Sequence, residues 1–367
     1  MKLRILVLMM MVSMVRNERH SFLSRHPFSF SSDRRCDRGE CALRTLTSSS
    51  DPSKLLDEFN QGESDTGCYT LFLGHSGGLG SAIHLIANRI LLSLARGAPM
   101  VSNATTPYAT HCETQSYSCL FETFYGSTSR IPESAQCVYK ASEWCFFKAA
   151  QIFRSDSPDR LAETYMSILV RHITRPSPTL KSWIETWRSE FELTNLYSRT
   201  LAVHIRRSDK EEMFHHTDQE YVERIVMLNR KFGYDRVLLG SDSNMTELIK
   251  RLRGDHNIHV MYIPNELFAR DPIFYQDQRN HDNNPTGLAL MTQIQLMSQC
   301  GGFMGTLTSN IGRLVYELQN SSFSFFDMDG LNYFPCPMFY EPPYGSSWST
   351  RAKCTTIYES RLRQCII

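Results

Sequence analysis

Apolar and polar positions alternate with two different periods along the second half of the chain. Apolar runs of strand length occur at Thr200–Ile205, Arg236–Gly240, Ile258–Tyr262 and Gly302–Thr306. Stretches with apolar residues at helical spacing follow these runs, and the last of them, Ile311–Leu318, repeats at i, i+3, i+4 and i+7. Strands that alternate with helices favour a parallel, doubly wound sheet.

The first half repeats this pattern less regularly. A predicted strand, Cys68–Gly74, leads through the glycine-rich turn His75–Gly80 into an amphipathic helix. Residues 103–154 are irregular and rich in cysteine, and helical stretches follow near Asp159–His172 and Leu180–Phe191. The whole pattern predicts an α/β protein with two Rossmann-like domains that face a cleft, the N-terminal half being cysteine-rich.

Composition divides the chain into five expected segments. Residues 1–16 carry a charged start and an apolar run, Ile5–Val15, which is shorter than the roughly 20 residues that span a bilayer. They are expected to be a signal peptide or a signal-anchor. The other segments are a stem or lead-in (17–65), an N-terminal domain (66–195), a C-terminal domain (196–322) and an aromatic, proline-rich tail (323–367).

Charge and cysteine usage restrict the class of protein. The net charge of the 367-residue chain is +1, which argues against a nucleic-acid partner and requires any anion to be bound locally. Seven of the eleven cysteines lie between Cys36 and Cys145, which favours disulfides in an oxidising compartment. The chain has no Cys-x-x-Cys pair, so a zinc site is the weaker interpretation.

The richest candidate site is the segment Leu201–Lys210, in which Arg206 and Arg207 follow an apolar strand. Ligands of open α/β sheets bind at the carboxyl ends of strands, and adjacent arginines are costly to desolvate without an anion. Since successive strand residues point to opposite faces, we expect one arginine to bind a phosphate and the other to anchor the loop, for example to Asp209. A purely structural ion pair is the alternative.

Three polar turns are further candidates for ligand binding. Thr308 and Ser309 begin a helix, where exposed N–H groups favour an anion, although they could simply cap it. Gly77 and Gly78 let backbone approach a ligand or only form a tight turn. Asp242, in Ser-Asp-Ser after a strand, could order a ribose, a base or the arginine loop, or cap a helix through Arg253.

Acid–base chemistry has fewer candidates. Glu211 and Glu212 lie just past the basic loop, where a carboxylate could act as general base on a sugar hydroxyl or could merely be solvated. His204 alternates with the apolar strand residues and is placed to face the cleft. The histidines show no spacing typical of metal ligands, so no metal is expected.

Several segments together resemble the α1,6-fucosyltransferase family. His204–Lys210, followed by Phe214-His and Glu220-Tyr221, is similar to the arginine-bearing motif of that family. Leu238–Asp242 resembles its second motif, and Leu296–Gln299 with Thr306–Glu317 resembles its third. The glycine turn with the helix after it is a weaker match, and the resemblance covers roughly residues 68–319.

The resemblance implies a GT-B-like, inverting and metal-independent enzyme that needs no cofactor and uses GDP-fucose as donor. By position, Arg206 would bind the β-phosphate and Ser309 would contact phosphate or fucose. Asp242 and His204 would line the donor site, which the C-terminal domain would form. Gln293 stands where the family has a carboxylate associated with guanine recognition.

The acceptor side would then belong to the N-terminal domain, with Lys210 and either Glu211 or Glu212 as its acid–base groups. Arg313 and Asp209 are expected to hold structure. The partners would be a nucleotide sugar and a glycan or glycoprotein acceptor, met in the Golgi lumen as a type II anchored protein or after secretion.

Two alternatives stay open. The chain could be a protein O-fucosyltransferase or use a different nucleotide sugar. It could also be an inactive glycan- or nucleotide-binding relative, which Gln293 and Ser243 favour because both replace acidic residues of the family.

Overall fold

The structure is a computed structural model of the 367-residue chain. It describes residues 46, 48–61, 68–72, 78–96, 98–102, 106–109, 112, 116–122, 131, 135, 137–140, 158–193, 197–207, 216–263, 285–306, 309–319 and 324–328.

The N-terminal half combines a small parallel sheet with long helices. Its elements in chain order are α1 (Pro52–Gln61), β1 (Cys68–Phe72), α2 (Leu79–Arg96), β2 (Met100–Ser102), β3 (Cys137–Lys140), α3 (Pro158–Ile173) and α4 (Pro178–Glu190). The strands form a parallel sheet of order β2-β1-β3.

The C-terminal half alternates strands and helices more regularly. Its elements are β4 (Thr200–Ile205), α5 (Asp218–Phe232), β5 (Arg236–Ser241), α6 (Thr246–Gly254), β6 (His259–Tyr262), α7 (Thr286–Met297), β7 (Gly302–Gly305), α8 (Asn310–Leu318) and β8 (Ser324–Asp327). The strands form a second parallel sheet, of order β6-β5-β4-β7-β8. The predicted α/β class with two parallel sheets is confirmed.

The strand order places a topological switch between β4 and β7. The chain first builds the sheet in one direction, from β4 through β5 to β6, and then returns to add β7 and β8 on the other side of β4. Because all strands are parallel, their carboxyl ends share one edge, and a crevice opens where the order reverses. The basic loop and the Ser309 turn both leave the sheet at this crevice.

Two hydrophobic cores cover the faces of this sheet, and the alternation along β4 shows how. Leu201, Val203 and Ile205 point to a core formed with α5 and α6. Ala202 points to the opposite core, which contains residues of α7 and α8 and continues into α2, α3 and α4 of the N-terminal half. All six residues of β4 are buried, which explains why this strand is mostly apolar on both faces.

Local sequence signals set both ends of α5. A capping box begins the helix, with the Thr217 side chain accepting from the Glu220 N–H and the Glu220 carboxylate accepting from the Thr217 N–H. At the other end Gly233 has a φ of 76°, a left-handed conformation that glycine adopts without a Cβ clash.

The predicted cap of α6 is wrong. The helix begins only at Thr246, and Met245 is its N-cap residue, without a side-chain bond. The side chain of Asn244 accepts from the Thr246 N–H instead, so the Ser241–Ser243 turn is left for other contacts.

Three elements lie where the sequence pattern predicts none. Helix α1 falls in the segment read as a lead-in, and it is ordered by burial of Leu56 and Phe59. Strand β3 falls in the irregular region, and β8 falls in the segment read as a tail. Each strand has only four residues, too few for a period to be recognised, and sheet pairing stabilises both.

The described residues bear on only part of the expected disulfide framework and on none of the expected signal segment. Cys112 and Cys119 are paired, with Cα atoms 6.3 Å apart, while Cys300 is a buried free thiol. The wider disulfide framework of the N-terminal half stays a prediction. No helix among the described residues has the length and apolar character needed to cross a bilayer, and segment 1–16 lies outside these residues.

The contact between α7 and the N-terminal half provides a stability test. A Cβ at Gly287 would lie 1.9 Å from the backbone oxygen of Tyr108, so Gly287→Ala must displace backbone. We expect the free energy of unfolding to fall by about 2–3 kcal/mol in denaturant titration. The matched change Gly254→Ala, where a Cβ would meet nothing within 4 Å, should leave stability unchanged or raise it slightly. Equal behaviour of the two variants would contradict the close approach.

Candidate active site

Arg206 lies at the crevice and is oriented by a carboxylate from the neighbouring strand. The register of β4 and β5 pairs Ile205 with Ser241, so the next residues, Arg206 and Asp242, leave the sheet side by side. Arg206 Nε lies 3.1 Å from Asp242 Oδ2, and both side chains are largely buried. A guanidinium carries four further N–H donors on its terminal nitrogens, so this contact aims the group without using all of its donors.

Arg207 is held by a different set of groups. Its Nη1 lies 2.6 Å from Asp218 Oδ1, its Nη2 donates to the backbone oxygen of His216 at 3.1 Å, and its guanidinium stacks 5.5 Å from the centre of the Tyr221 ring. Its backbone N–H donates to Asp242 Oδ1 at 2.8 Å. The geometry thus gives Arg207 the anchoring role, with Asp218 at the start of α5 as its partner, whereas Asp209 lies outside the described residues.

The turn after β7 presents an uncapped helix start to the same crevice. Ser309 occupies the N-cap position of α8, is 2% exposed and makes no side-chain bond to the helix. The first N–H groups of a helix have no intrahelical partner and carry a partial positive charge. The start of α8 is therefore suited to an anion. Thr308, the other predicted residue of this turn, lies outside the described residues.

A second helix start meets the first one. A Cβ at Gly80, in the first turn of α2, would lie 3.0 Å from the Cβ of Asn310 and 3.3 Å from Ile311 Cδ1. The predicted glycine turn thus touches the start of α8, and Gly78 at its end accepts the first helical bond, from the Ala82 N–H at 2.9 Å. Two positive helix ends at one place repel each other unless negative charge lies between them.

A buried pair holds these two helices together. His84 Nε2, one turn along α2, lies 2.9 Å from Glu317 Oε2 near the end of α8, and the two side chains are 7% and 0% exposed. Glu317 Oε1 has no partner among the described residues. Since a buried carboxylate is costly without a partner, the contact with His84 ties the relative position of the helices.

Helix α3 completes the attachment of α8. Ser167 donates its hydroxyl to the backbone oxygen of Glu317 at 2.6 Å, and Arg171 donates to the backbone oxygen of Gln319. These carbonyls belong to the end of α8, where no intrahelical donor remains. The end of the helix is therefore bound by N-terminal residues, and its start is left to face the crevice.

A cavity of about 340 Å³ lies at the ends of β5 and β6. Its lining residues are Leu239, Gly240, Ser241, Asn244, Met245, Thr246, Ile249, Tyr262, Ile263 and Gln293. Gln293 comes from α7 and is 3% exposed, while Tyr262 is 39% exposed and offers an aromatic ring. Ser241 precedes Asp242 in the chain, so the cavity wall borders the turn that holds Arg206.

His204 is deeply buried, in contrast to its expected position on a cleft. It is 3% exposed because the pleat of β4 puts it on the same face as Ala202, against α7. Burial, as the largest cause, lowers the pKa of His204 to about 4; nearby Arg206 also lowers it, and Asp242 opposes the shift. The ring is neutral at pH 7 and packs behind the arginine loop.

Of the remaining predicted site residues, the structure describes Arg313 and leaves four outside its described ranges. Arg313 is 8% exposed in α8, and its guanidinium donates to the Asn310 side chain, which agrees with a structural role. The other predicted residues lie outside the described ranges: Gly77, Lys210, Glu211 and Glu212. Among the described residues no group of three His, Cys, Asp or Glu side chains could hold a metal ion.

Sequence reasoning missed several residues that shape the site. Glu317 gave one usable signal, since it lies three residues after Leu314 on the apolar side of its helix, where a carboxylate requires a partner. His84 as that partner, 233 residues away, could not be read from spacing. Tyr262 looked like an ordinary strand residue, because only the tertiary structure places it at a cavity.

The chain is similar to solved fucosyltransferases at low identity. POFUT1 in complex with GDP-fucose is 12% identical, with 72% of this chain and 99% of that chain covered and a TM-score of 0.39. NodZ α1,6-fucosyltransferase soaked with GDP-fucose is 15% identical, with 68% and 92% covered and a TM-score of 0.41. A mutant of Arabidopsis thaliana FUT1 in complex with GDP is 10% identical, with 81% and 79% covered and a TM-score of 0.44. No family model and no curated protein matches the chain.

Buried neutral histidines predict sensitivity to acid. His204 and His172 both have a pKa lowered to about 4, mainly by burial. The unfolded chain, with histidine pKa values near 6.5, binds protons that the folded chain rejects, so stability is complete above pH 6.5 and falls towards pH 4. The loss should be about 3 kcal/mol for each histidine between pH 7 and pH 4. In urea titrations, His204→Gln should lose less stability on acidification than the wild type, and the exposed-site variant His256→Gln should match the wild type.

The buried pair of α2 and α8 predicts a strong effect of truncation. Glu317→Ala leaves His84 without its partner and should lower the free energy of unfolding by about 3–5 kcal/mol. Glu317→Gln retains a hydrogen bond to the ring and should cost less. As a control, Glu58→Ala removes an exposed partner of Lys54 and should change stability by about 0.5 kcal/mol or less. A Glu317→Ala protein as stable as the Glu58→Ala control would show that the pair does not hold the helices.

Proposed function

We propose that this protein is a glycosyltransferase that transfers fucose from GDP-fucose to a glycan acceptor with inversion and without a metal ion. One observation carries the proposal. The starts of α2 and α8 converge at Gly80 and Asn310, at the sheet crevice from which Arg206 emerges. This arrangement collects positive charge where a diphosphate would lie.

The electrostatics favour a diphosphate over a neutral ligand. Two helix starts and a guanidinium oriented by Asp242 offer N–H donors on several sides of one place. These donors are fixed before ligand binds, so little reorganisation is needed when charge develops on phosphate oxygens. In this proposal the Ser309 hydroxyl contacts the same diphosphate.

The adjacent cavity suits the nucleoside of the donor. Its volume of about 340 Å³ is that of a small-ligand site. The Tyr262 ring can stack on a base, and Gln293 can bind its polar edge. Because Ser241 in the cavity and Asp242 at the arginines are successive residues, a ligand can reach from one to the other.

In the proposed reaction an acceptor oxygen attacks the anomeric carbon of fucose from the side opposite to GDP. The new carbon–oxygen bond forms while the bond to the β-phosphate oxygen breaks, and GDP leaves with the electron pair. Arg206 and the helix starts stabilise the charge on the departing diphosphate. The acceptor proton passes to a base, for which Glu211 and Glu212 are the proposed candidates with Lys210 beside them.

The proposal also covers the acceptor, the glycosidic linkage and the subcellular location. A protein O-fucosyltransferase or an enzyme with another nucleotide sugar would use the same charge arrangement, so donor and acceptor screens must separate them. The proposed location is the lumen of the secretory pathway, reached through the N-terminal segment 1–16 as a signal peptide or anchor.

Substitution of Arg206 tests the assignment. Arg206→Ala should lower turnover on the order of 10²–10³-fold, as does the loss of one preorganised donor elsewhere. Arg206→Lys should recover only part of this, since an ammonium lacks the planar fork. The control Arg199→Ala removes a half-exposed arginine paired with Asp235 and should keep normal turnover. Turnover near wild type in Arg206→Ala, with the same thermal melting, would exclude the proposed role.

Binding by calorimetry separates the enzyme from an inactive relative. GDP should bind, and UDP should bind much more weakly. The substitution Arg206→Ala should lower the affinity for GDP. Binding of GDP without any transfer to a broad glycan array would favour the inactive nucleotide-binding relative. Absence of binding by every nucleotide tested would contradict the proposal.

A further inference from the structure

The turn between β5 and α6 contains the triplet Asn244-Met245-Thr246. Asparagine, then any residue except proline, then serine or threonine is the acceptor sequence for N-linked glycans in the secretory pathway. Asn244 and Thr246 are exposed, while Met245 between them is 5% exposed and packs in the core beneath the turn. The middle residue therefore anchors the triplet and leaves the acceptor asparagine at the surface.

The asparagine amide uses only its oxygen within the fold. Asn244 Oδ1 accepts from the Thr246 N–H at 2.9 Å and from the Thr246 hydroxyl at 2.7 Å. No group among the described residues bonds to the amide nitrogen, Nδ2, which is the atom that carries an N-linked glycan. Nδ2 thus belongs to an exposed side chain whose orientation the Thr246 contacts already fix.

A glycan on Nδ2 leaves the start of α6 intact. The glycosylated amide keeps its carbonyl oxygen, so both bonds from Thr246 persist and the start of the helix loses no acceptor. Asn60 and Asn88 show the opposite arrangement, because both are buried and donate Nδ2 to a backbone oxygen. The amide of Asn244 is therefore suited to a bulky substituent in a way that these buried amides are not.

The same turn forms part of the cavity wall at the ends of β5 and β6. Asn244, Met245 and Thr246 all line the cavity, and a glycan on the exposed Asn244 begins at its rim. The chain has two further acceptor triplets, at Asn103 and Asn320, and both asparagines lie outside the described residues. Asn244 is thus the acceptor asparagine whose surroundings the structure describes.

We propose that Asn244 carries an N-linked glycan in the cell, attached through Nδ2 at the rim of the cavity. This inference rests on the secretory location in the proposed function and is independent of fucosyl transfer. In the attachment reaction, Nδ2 bonds to the anomeric carbon of an oligosaccharide carried on a lipid diphosphate. The bond from that carbon to the phosphate oxygen breaks, and the lipid diphosphate leaves with the electron pair. Nδ2 gives up one proton to a base of the host enzyme that transfers the oligosaccharide.

Mass spectrometry tests the inference on the full-length protein, expressed with its own residues 1–16 in eukaryotic cells. Trypsin cleavage after Arg236 and Lys250 yields the peptide 237–250, in which Asn244 is the only asparagine. We expect this peptide to carry N-acetylhexosamine and hexose. Peptide N-glycosidase should release the glycan and leave an aspartate at position 244.

Substitutions separate the glycan from the helix start. Thr246→Ala should abolish the glycan, whereas the matched variant Thr246→Ser keeps the acceptor sequence and a hydroxyl and should retain it. Asn244→Asp removes Nδ2 but keeps an oxygen for the Thr246 N–H, so it should lose the glycan and still melt at a higher temperature than Asn244→Ala. The glycosylated wild type should melt no lower than Asn244→Asp, because the glycan leaves the bonds from Thr246 in place.

The outcomes distinguish this inference from the proposed function. An unmodified 237–250 peptide in a protein that carries glycans at Asn103 or Asn320 overturns the inference and leaves the secretory location intact. If no asparagine is modified, the location fails and the inference fails with it. A glycan at Asn244 in a protein that transfers no fucose supports the inference, while the proposed activity fails.

Discussion

The structure depends on the close approach of two helix starts, at Gly80 of α2 and Asn310 of α8. Like helix poles repel, so the contact needs attachment elsewhere in the two helices. The buried pair of His84 and Glu317 supplies it, and Ser167 of α3 binds the far end of α8. Because these attachments lie away from the helix starts, the starts remain directed at the crevice. An anion bound there would stabilise the contact between the two positive helix ends.

Strand β4 connects this contact to the rest of the site. It lies between β5 and β7, where the strand order reverses, and it separates two hydrophobic cores. Its carboxyl end therefore opens at the crevice, and its flanking turns come from different parts of the chain. A buried strand of this kind is rigid, which suits the placement of Arg206 at a reacting bond, where a misplacement of about 1 Å is costly.

Two adjacent arginines serve different purposes because they meet different surroundings. Arg207 is enclosed by Asp218 and the Tyr221 ring, whereas Arg206 is aimed by Asp242 from the neighbouring strand. The same Asp242 also accepts from the Arg207 backbone, so one carboxylate orders the whole loop. The positive charge is thus partly balanced within the fold, and the balance is completed by a phosphate-bearing ligand in the proposed function.

The sequence by itself determined the α/β class, four of the five strands of the second half to within one or two residues, and the position of Arg206 at a strand end. These features are local, since the spacing of apolar residues and the identity of neighbouring residues specify them. Only the tertiary structure decided that Glu317 meets His84, that Gly80 meets Asn310, and that Gln293 opens into a cavity. Those contacts join residues far apart in the chain, and no local pattern encodes them. They arise because burial brings two sheets and their helices into one packed body, where each buried polar group must find a partner.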